Sequence, residues 1–419
     1  MKTRSKTKKH WLVLAIVSLM YAGTLGLVAN TIGVYYTPVS ENLNILRGTF
    51  AMNATIALLT TGVASLFVPR MLERLGWKKT ITLGALLASA GIFGMGLTTS
   101  VTIFNILGAV RGLGVAFASM VPGATIINNW FEEKNGLAIS IMTSFSGIGS
   151  VVFSPIFSRL ITTIGWENTF FVHGVLVLLL SLPAILMPHT FKPEEEDLLP
   201  YGVEPKNLEN DALGNERLKP VRTLDYIGIT FFALIAVAFL QTFVVGLNQH
   251  LPGYGDSLGI APQVTGFMLS AVMFGNMSFK LSSGSLSDKI GEIKAMLTVV
   301  GLNILALVFL SMWTNPTGLI FNSWLFGSIF GTAVLYVLLA KRFFGVRIGS
   351  YVYSYTTFAA NMAAALSNVL IGYIYDFTGT YVPIFWAAIA IQLLAGVLLF
   401  VAIKFAPVRE ASRLNTGFE

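Results

Sequence analysis

The sequence contains no cysteine. That excludes disulfides, thiolate metal sites and cysteine nucleophiles. Histidine is scarce: His10, His173, His189 and His250 are the four, and they are scattered along the chain. No HExxH, phosphate-cradling glycine loop or paired-carboxylate motif is present, so no metal, cofactor or enzymatic chemistry is expected. Charge is also in short supply. Asp, Glu, Lys and Arg make up 11% of the 419 residues, against about 25% in soluble domains. What is abundant is apolar: 54% of residues are hydrophobic and the mean hydropathy is +0.73. The apolar runs are roughly 20 residues long, the length of a membrane helix, without the alternation of a membrane barrel strand. The composition therefore predicts an all-α integral membrane protein in contact with the lipid bilayer.

The N-terminal stretch MKTRSKTKKHWLVLAIVSLMYAG opens like a signal peptide, basic and then apolar. The apolar run continues to about Tyr36 and lacks a small-residue cleavage site, so we read it as a retained first span. Twelve apolar segments follow the chain, at about 11–36, 48–69, 80–98, 102–128, 136–162, 168–188, 224–248, 263–285, 294–312, 317–340, 346–374 and 381–404. One connection is long. Residues 189–223 carry EEED at 194–197 and several prolines, a charged linker. The expected organisation is a six-helix bundle over 1–188, a cytoplasmic linker over 189–223 and a second six-helix bundle over 224–419. Basic residues orient the chain. With both termini in the cytoplasm, all but four of the 27 Lys and Arg (Arg47, Arg111, Arg159 and Lys280) fall in cytoplasmic segments. This placement accounts for the net charge of +7 without nucleic acid. It fits an inner cell membrane.

A repeat relates the halves. ERLGWKK (Glu73 to Lys79) follows the second span and DKIGEIK (Asp288 to Lys294) follows the eighth. Both read acid-base-x-Gly-x-x-Lys, at equivalent cytoplasmic turns. The acid suits a neighbouring helix N-terminus, the glycine suits a tight turn, and the bases stay on the cytoplasmic side.

These turns resemble the loop signature of the major facilitator superfamily, G-x-x-x-D-[RK]-x-G-[RK]-x-[RK]. The second copy matches at Gly284, Asp288, Lys289, Gly291 and Lys294, with Glu292 at a usually basic place. The first keeps Glu73, Arg74, Gly76, Lys78 and Lys79, with Pro69 where glycine is usual. Two further stretches, Asn128 to Pro155 and Tyr35 to Phe50, are similar to the oxalate/formate antiporter and monocarboxylate transporter groups. The resemblance implies twelve helices in two pseudo-symmetric bundles, a monomer, and substrate transport by alternating access at a site near the bilayer midplane.

The outlier among the spans is Lys280. A lysine within the hydrocarbon costs roughly 2.5–3.5 kcal/mol on insertion scales. Asn276, Lys280, Gly284 and Asp288 are spaced by four and share a helix face. In the oxalate/formate and monocarboxylate groups a basic residue four before the signature glycine contacts the substrate carboxylate, and Lys280 occupies that place. Three roles are open to it: carboxylate partner, a snorkelling or structurally paired lysine, and a gating charge. Oxalate carriers add a lysine on span 11, where this chain is uncharged and Asn361 stands close by. One cation suits one carboxylate, which favours a monocarboxylate over oxalate.

Arg111, on span 4, is the second charge within a span, open to structural pairing, anion binding or proton coupling. Asn30, Asn248, Tyr351 and Tyr355 complete the candidate site, although residues of these types are, singly, more often packing or interface belt than ligand; Asn361 reads evenly as a ligand or a helix–helix hydrogen bond. No carboxylate lies within a span, so proton symport, exchange against a counter-anion and uniport all remain open. The expected function is transport of a small organic anion. The alternative is uptake or efflux of amphipathic or neutral solutes, as by a drug-type facilitator.

Overall fold

In the computed structural model the described residues are 3–186, 191–203, 227–260 and 262–406. They are helical almost throughout. One isolated parallel bridge, between Phe131 and Tyr201, is the β-type pairing among them. Seven of the described helices are long and apolar enough to cross a membrane, or eight if the bent pair Thr49–Ser65 and Val68–Leu75 is one span. Two of the seven, Asn135–Leu186 and Pro316–Ser367, run to 52 residues. A straight helix of that length would reach about 78 Å, far beyond the ~30 Å hydrocarbon core. Each is in fact two helices joined at a glycine. The backbone at Gly165 has φ 85° and ψ 161°, and at Gly345 φ 75° and ψ 176°.

The same conformation recurs at both copies of the repeated turn. Gly76 has φ 79° and ψ 163°, and Gly291 has φ 85° and ψ 155°. This region is open essentially to glycine alone, so the repeated glycine is the residue that lets one helix end and the next begin without a loop.

The chain divides into two compact units. One comprises Met1–Ile127 and Ile141–Lys192; the other comprises Asn128–Ser140 and Pro193–Glu419. The expected boundaries at 188/189 and 223/224 lie outside the described residues. In the first unit the core gathers Tyr35, Phe50, Phe104, Phe157, Trp166 and Phe170, with Leu27, Val28 and Ile92. In the second it gathers Val272, Leu307, Phe326, Ile329, Tyr254 and Phe385.

Several spans depart from plain α-helix. The first is α-helical over Thr3–Tyr21, π-helical over Ala22–Leu27 and 3-10 over Ile32–Tyr35. The second bends by 56° between Ser65 and Val68. The helix Ile229–Val245 is followed directly by a 3-10 stretch over Gly246–His250, so Asn248 lies in a 3-10 turn. The span starting at Pro316 switches to 3-10 over Gly327–Gly331 before continuing. Hydropathy cannot register such changes, because they leave the apolar character of the segment intact.

Tyr201, in the stretch expected as a linker, is anchored on the turn after Trp130. Tyr201 N–H donates to Trp130 O at 2.8 Å, and Tyr201 O accepts from Glu132 and Glu133 N–H at 3.1 and 2.9 Å. Its ring packs on Phe131, centroids 5.5 Å apart, and Lys134 Nζ lies 5.7 Å from the ring centre.

Candidate functional site

Lys280 lies on the helix Pro262–Ile290. Among the described residues it is one of two Lys or Arg side chains that are buried; it is 9% exposed, and Arg111 is 2% exposed. The two are handled differently. Arg111 is engaged: Nη1 donates to Val28 O at 2.7 Å and Nη2 to Asn53 Oδ1 at 2.9 Å. Its Nε has no partner among the described residues. It thus holds a main-chain carbonyl next to the π-helical stretch of the first span. No described residue hydrogen-bonds or ion-pairs with the Lys280 ammonium. Its main-chain oxygen accepts from Ser140 Oγ at 2.6 Å.

The stripe spaced by four from Asn276 is packed at its lower end. A side chain at Gly284 would run into Gly136 O and Ser140 Oγ, so the two helices approach to backbone contact there. One turn on, the Asp288 carboxylate receives Gly136 N–H and Leu137 N–H, each at 2.9 Å. These are two of the four free N–H groups at the start of the helix Asn135–Leu186. The acid of the repeated turn therefore serves the N-terminus of a different helix. The remaining Asn276 is half-buried. Around the signature lies a cleft of about 630 Å³, lined by Lys134, Asn135, Ser287, Asp288, Lys341 and Arg342 among others. Lys341 pairs with Glu132 at 3.0 Å and also reaches Phe131 O at 3.3 Å. Arg342 pairs with Glu292, the residue that stands where the signature is usually basic. Lys289 is exposed, and Gly291 caps the start of the next helix.

The other expected residues fall as follows. Glu73 and Arg74 are exposed at the end of the helix Val68–Leu75, before Gly76. Asn30 is exposed in the first unit and donates to Ser146 O at 3.3 Å. Asn248 is buried, its Oδ1 without a partner among the described residues. Asn361 turns its amide to its own helix, donating to Thr357 O at 2.8 Å. Tyr355 sets its ring edgewise on Phe231 at 5.2 Å, and Tyr351 is half-buried one turn earlier. Thus Lys280, Asn276, Asn248, Asn361, Tyr351 and Tyr355 share one unit, and Arg111 and Asn30 share the other.

Sequence reasoning missed three polar pairs. Asn53, the partner of Arg111, is fully buried. Tyr336 donates to Gln241 Oε1 at 2.6 Å. Tyr35 and His173 meet at 3.2 Å through the hydroxyl and Nδ1, and His173 stacks on Phe157 at 4.3 Å. Each partner was visible as a polar residue in an apolar run, but nothing local says which two meet.

Comparison with known proteins supplies the family. The model of the Major Facilitator Superfamily matches residues 12–343 and 231–419. The chain is 24% identical over 407 residues to the uncharacterized MFS-type transporter YcxA of Bacillus subtilis (strain 168), covering 94% of this chain and 95% of that protein. It is 27% identical to monocarboxylate transporter 12 of Xenopus laevis, over 77% of this chain and 73% of that one. It is 25% identical to the oxalate:formate antiporter of Oxalobacter formigenes, over 71% and 68%. Among solved structures, the proton:xylose symporter XylE has a similar fold, with a TM-score of 0.72 at 14% identity and 96% of both chains covered. Apolar helices, a twice-used glycine turn and these matches lead to one conclusion: this chain is a multi-pass membrane protein of the Major Facilitator Superfamily, a transporter and not an enzyme.

Proposed function

We propose that the protein carries a small organic anion, a monocarboxylate, by alternating access, with Lys280 as the partner of the carboxylate. The observation that carries this reading is the buried, unpaired ammonium of Lys280 in an apolar helix. A charge so placed is costly unless water or a counter-charge reaches it. Arg111 already has two oxygen partners. Lys280 thus remains as the cation for one substrate carboxylate, and as a lysine it offers a point charge instead of a bidentate fork. The names of two relatives, a monocarboxylate transporter and an oxalate:formate antiporter, point the same way.

In this reading twelve spans form two six-helix bundles, 1–188 and 224–419, joined by a cytoplasmic linker. Both termini are in the cytoplasm and the protein is a monomer of the inner cell membrane. Asn276, Asn361, Tyr351, Tyr355 and Asn248 complete the site from the second bundle. Arg111 and Asn30 are the substrate-contact candidates of the first bundle, taken by itself, and a proton or a counter-anion balances the cycle. The signature residues Glu73, Arg74, Gly76, Gly284, Asp288, Lys289 and Gly291 act in the change of state.

Ligand-induced thermal stabilisation of the purified protein tests it. Formate, lactate, pyruvate, oxalate, larger aromatic acids, neutral solutes and lipophilic cations are compared on wild type and Lys280→Gln. A ligand that binds only the folded state raises its stability by RT ln(1 + [L]/Kd). Stabilisation by a monocarboxylate, lost in Lys280→Gln while that variant stays folded, supports the reading. Equal stabilisation of both proteins by neutral or cationic compounds overturns it in favour of a drug-type facilitator.

A further inference from the structure

We infer that Asn303 and Gln392, a buried amide pair on two apolar helices, are positioning residues that hold the helix of Lys280 through a 3-10 hinge. The functional meaning of this rests on the anion-carrier reading; the mechanical part does not.

The pair lies deep in the second unit. Asn303, on Glu292–Met312, and Gln392, on Val382–Lys404, are both fully buried. Gln392 Nε2 donates to Asn303 Oδ1 at 2.9 Å, and Asn303 Nδ2 donates to Phe326 O at 3.1 Å. Phe326 is the last residue of the α-helical stretch Pro316–Phe326, immediately before the 3-10 segment Gly327–Gly331. A second side chain serves the same break: Thr332 Oγ1 donates to Ile329 O at 2.6 Å. A mid-span 3-10 segment shifts the carbonyls out of the i→i+4 register and often marks a hinge. In hydrocarbon such carbonyls must find donors within the protein. The amide relay from Gln392 through Asn303 supplies one.

The front of the same segment touches the helix of Lys280. A side chain at Gly327 would strike Gly275, and one at Gly275 would strike Trp324 O and Gly327. A side chain at Gly331 would strike Ser283 and Phe279 O. Phe279 and Trp324 add a ring contact at 5.1 Å. Residues 279 and 283 flank Lys280 by one position and by one turn. The amide pair therefore bonds the residue immediately before the 3-10 segment, and the segment itself is in close backbone contact with the Lys280 helix. Two amides on helices otherwise free of charge in their interiors are expensive to bury unless paired; here their bond network ends on the hinge carbonyl.

The test is amide hydrogen exchange on the full-length protein in micelles, comparing wild type, Asn303→Leu, Gln392→Met and the swap Asn303→Gln with Gln392→Asn. Gln392→Met keeps volume and leaves the Asn303–Phe326 bond, so it serves should Asn303→Leu fail to fold. The expected result is faster exchange both at 327–331 and at 275–284 in the single variants, by roughly five-fold, within the range of remote coupling. Recovery in the swap is expected as well. Faster exchange at 327–331 alone, unchanged exchange everywhere, or a swap that behaves as the singles do would overturn the inference. Carboxylate affinity, measured alongside, should weaken in the singles and recover in the swap; unchanged affinity in the singles sinks the positioning role. If no carboxylate binds even wild type, the anion-carrier reading falls, while the exchange data still decide whether the hinge holds the helix.

Discussion

Asp288 and Gly136 are 152 positions apart, and the carboxylate of one accepts the main-chain N–H of the other at 2.9 Å. With Leu137 N–H on its second oxygen, Asp288 satisfies two free donors at a helix start and places a negative charge at the positive end of its dipole. Replacement by alanine removes both bonds, and a lost N-terminal cap costs about 0.5–2 kcal/mol. Asp288→Ala should lower the melting temperature and speed amide exchange at 136–140. Asp288→Asn, which keeps one acceptor and loses the charge, should fall between. Unchanged exchange in Asp288→Ala would mean that water replaces the carboxylate without loss.

Gly284 is in backbone contact with Gly136, whereas Gly301 has open space where a side chain would go. Overpacking a close contact costs about 1–3 kcal/mol or more. Gly284→Ala should destabilise the protein clearly. Gly301→Ala, on an otherwise similar helix, should be neutral or stabilising, since alanine is the better helix former by about 1 kcal/mol. Melting curves of the two variants side by side check this.

Arg111 and Asn53 form a neutral–charged pair in the first unit. Hydrogen bonds to charged groups contribute about 1.5–3 kcal/mol each. Arg111→Leu leaves Val28 O and Asn53 Oδ1 without their donor, so it should cost more than Asn53→Leu. In a double-mutant cycle the two effects should be strongly non-additive. Additive losses would show that the bond carries no energy of its own.

Lys280 should behave in the opposite sense. Its charge is buried without a protein partner among the described residues, at a cost of roughly 2.5–3.5 kcal/mol on insertion scales. Lys280→Met should raise the melting temperature of the unliganded protein and abolish its response to carboxylates. Such a trade of stability for function is common at working sites. A lower melting temperature in Lys280→Met would reveal a structural lysine.

The legible parts of this protein are those written in short stretches of chain. The membrane location follows from apolar runs, and the helix-to-helix turns at Gly76 and Gly291 follow from a repeated motif whose glycines both adopt positive φ. The spacing that sets Asn276, Lys280, Gly284 and Asp288 on one helix face is read from the chain in the same way, because positions four apart on a helix share a face. The π-helical turn at 22–27, the 3-10 segment at 327–331 and the docking of Tyr201 on the 130–133 turn were not. The first two exchange one set of main-chain hydrogen bonds for another and the third joins residues far apart in the chain; none alters hydropathy, so composition carries no trace of them.

The sequence by itself determined that the chain spans a membrane as helices, where those helices turn, and that a lysine is placed among them at a cost. Only the tertiary structure decided that Arg111 is occupied while Lys280 is not, that Asp288 serves the helix beginning at Asn135, and that Asn303 and Gln392 meet and bond the carbonyl of Phe326. The physical reason is one of range. Burial and turn preferences act on a residue and its near neighbours, whereas a polar side chain in hydrocarbon takes whichever donor or acceptor packing brings within about 3 Å, and that choice is made by helices far apart in the chain.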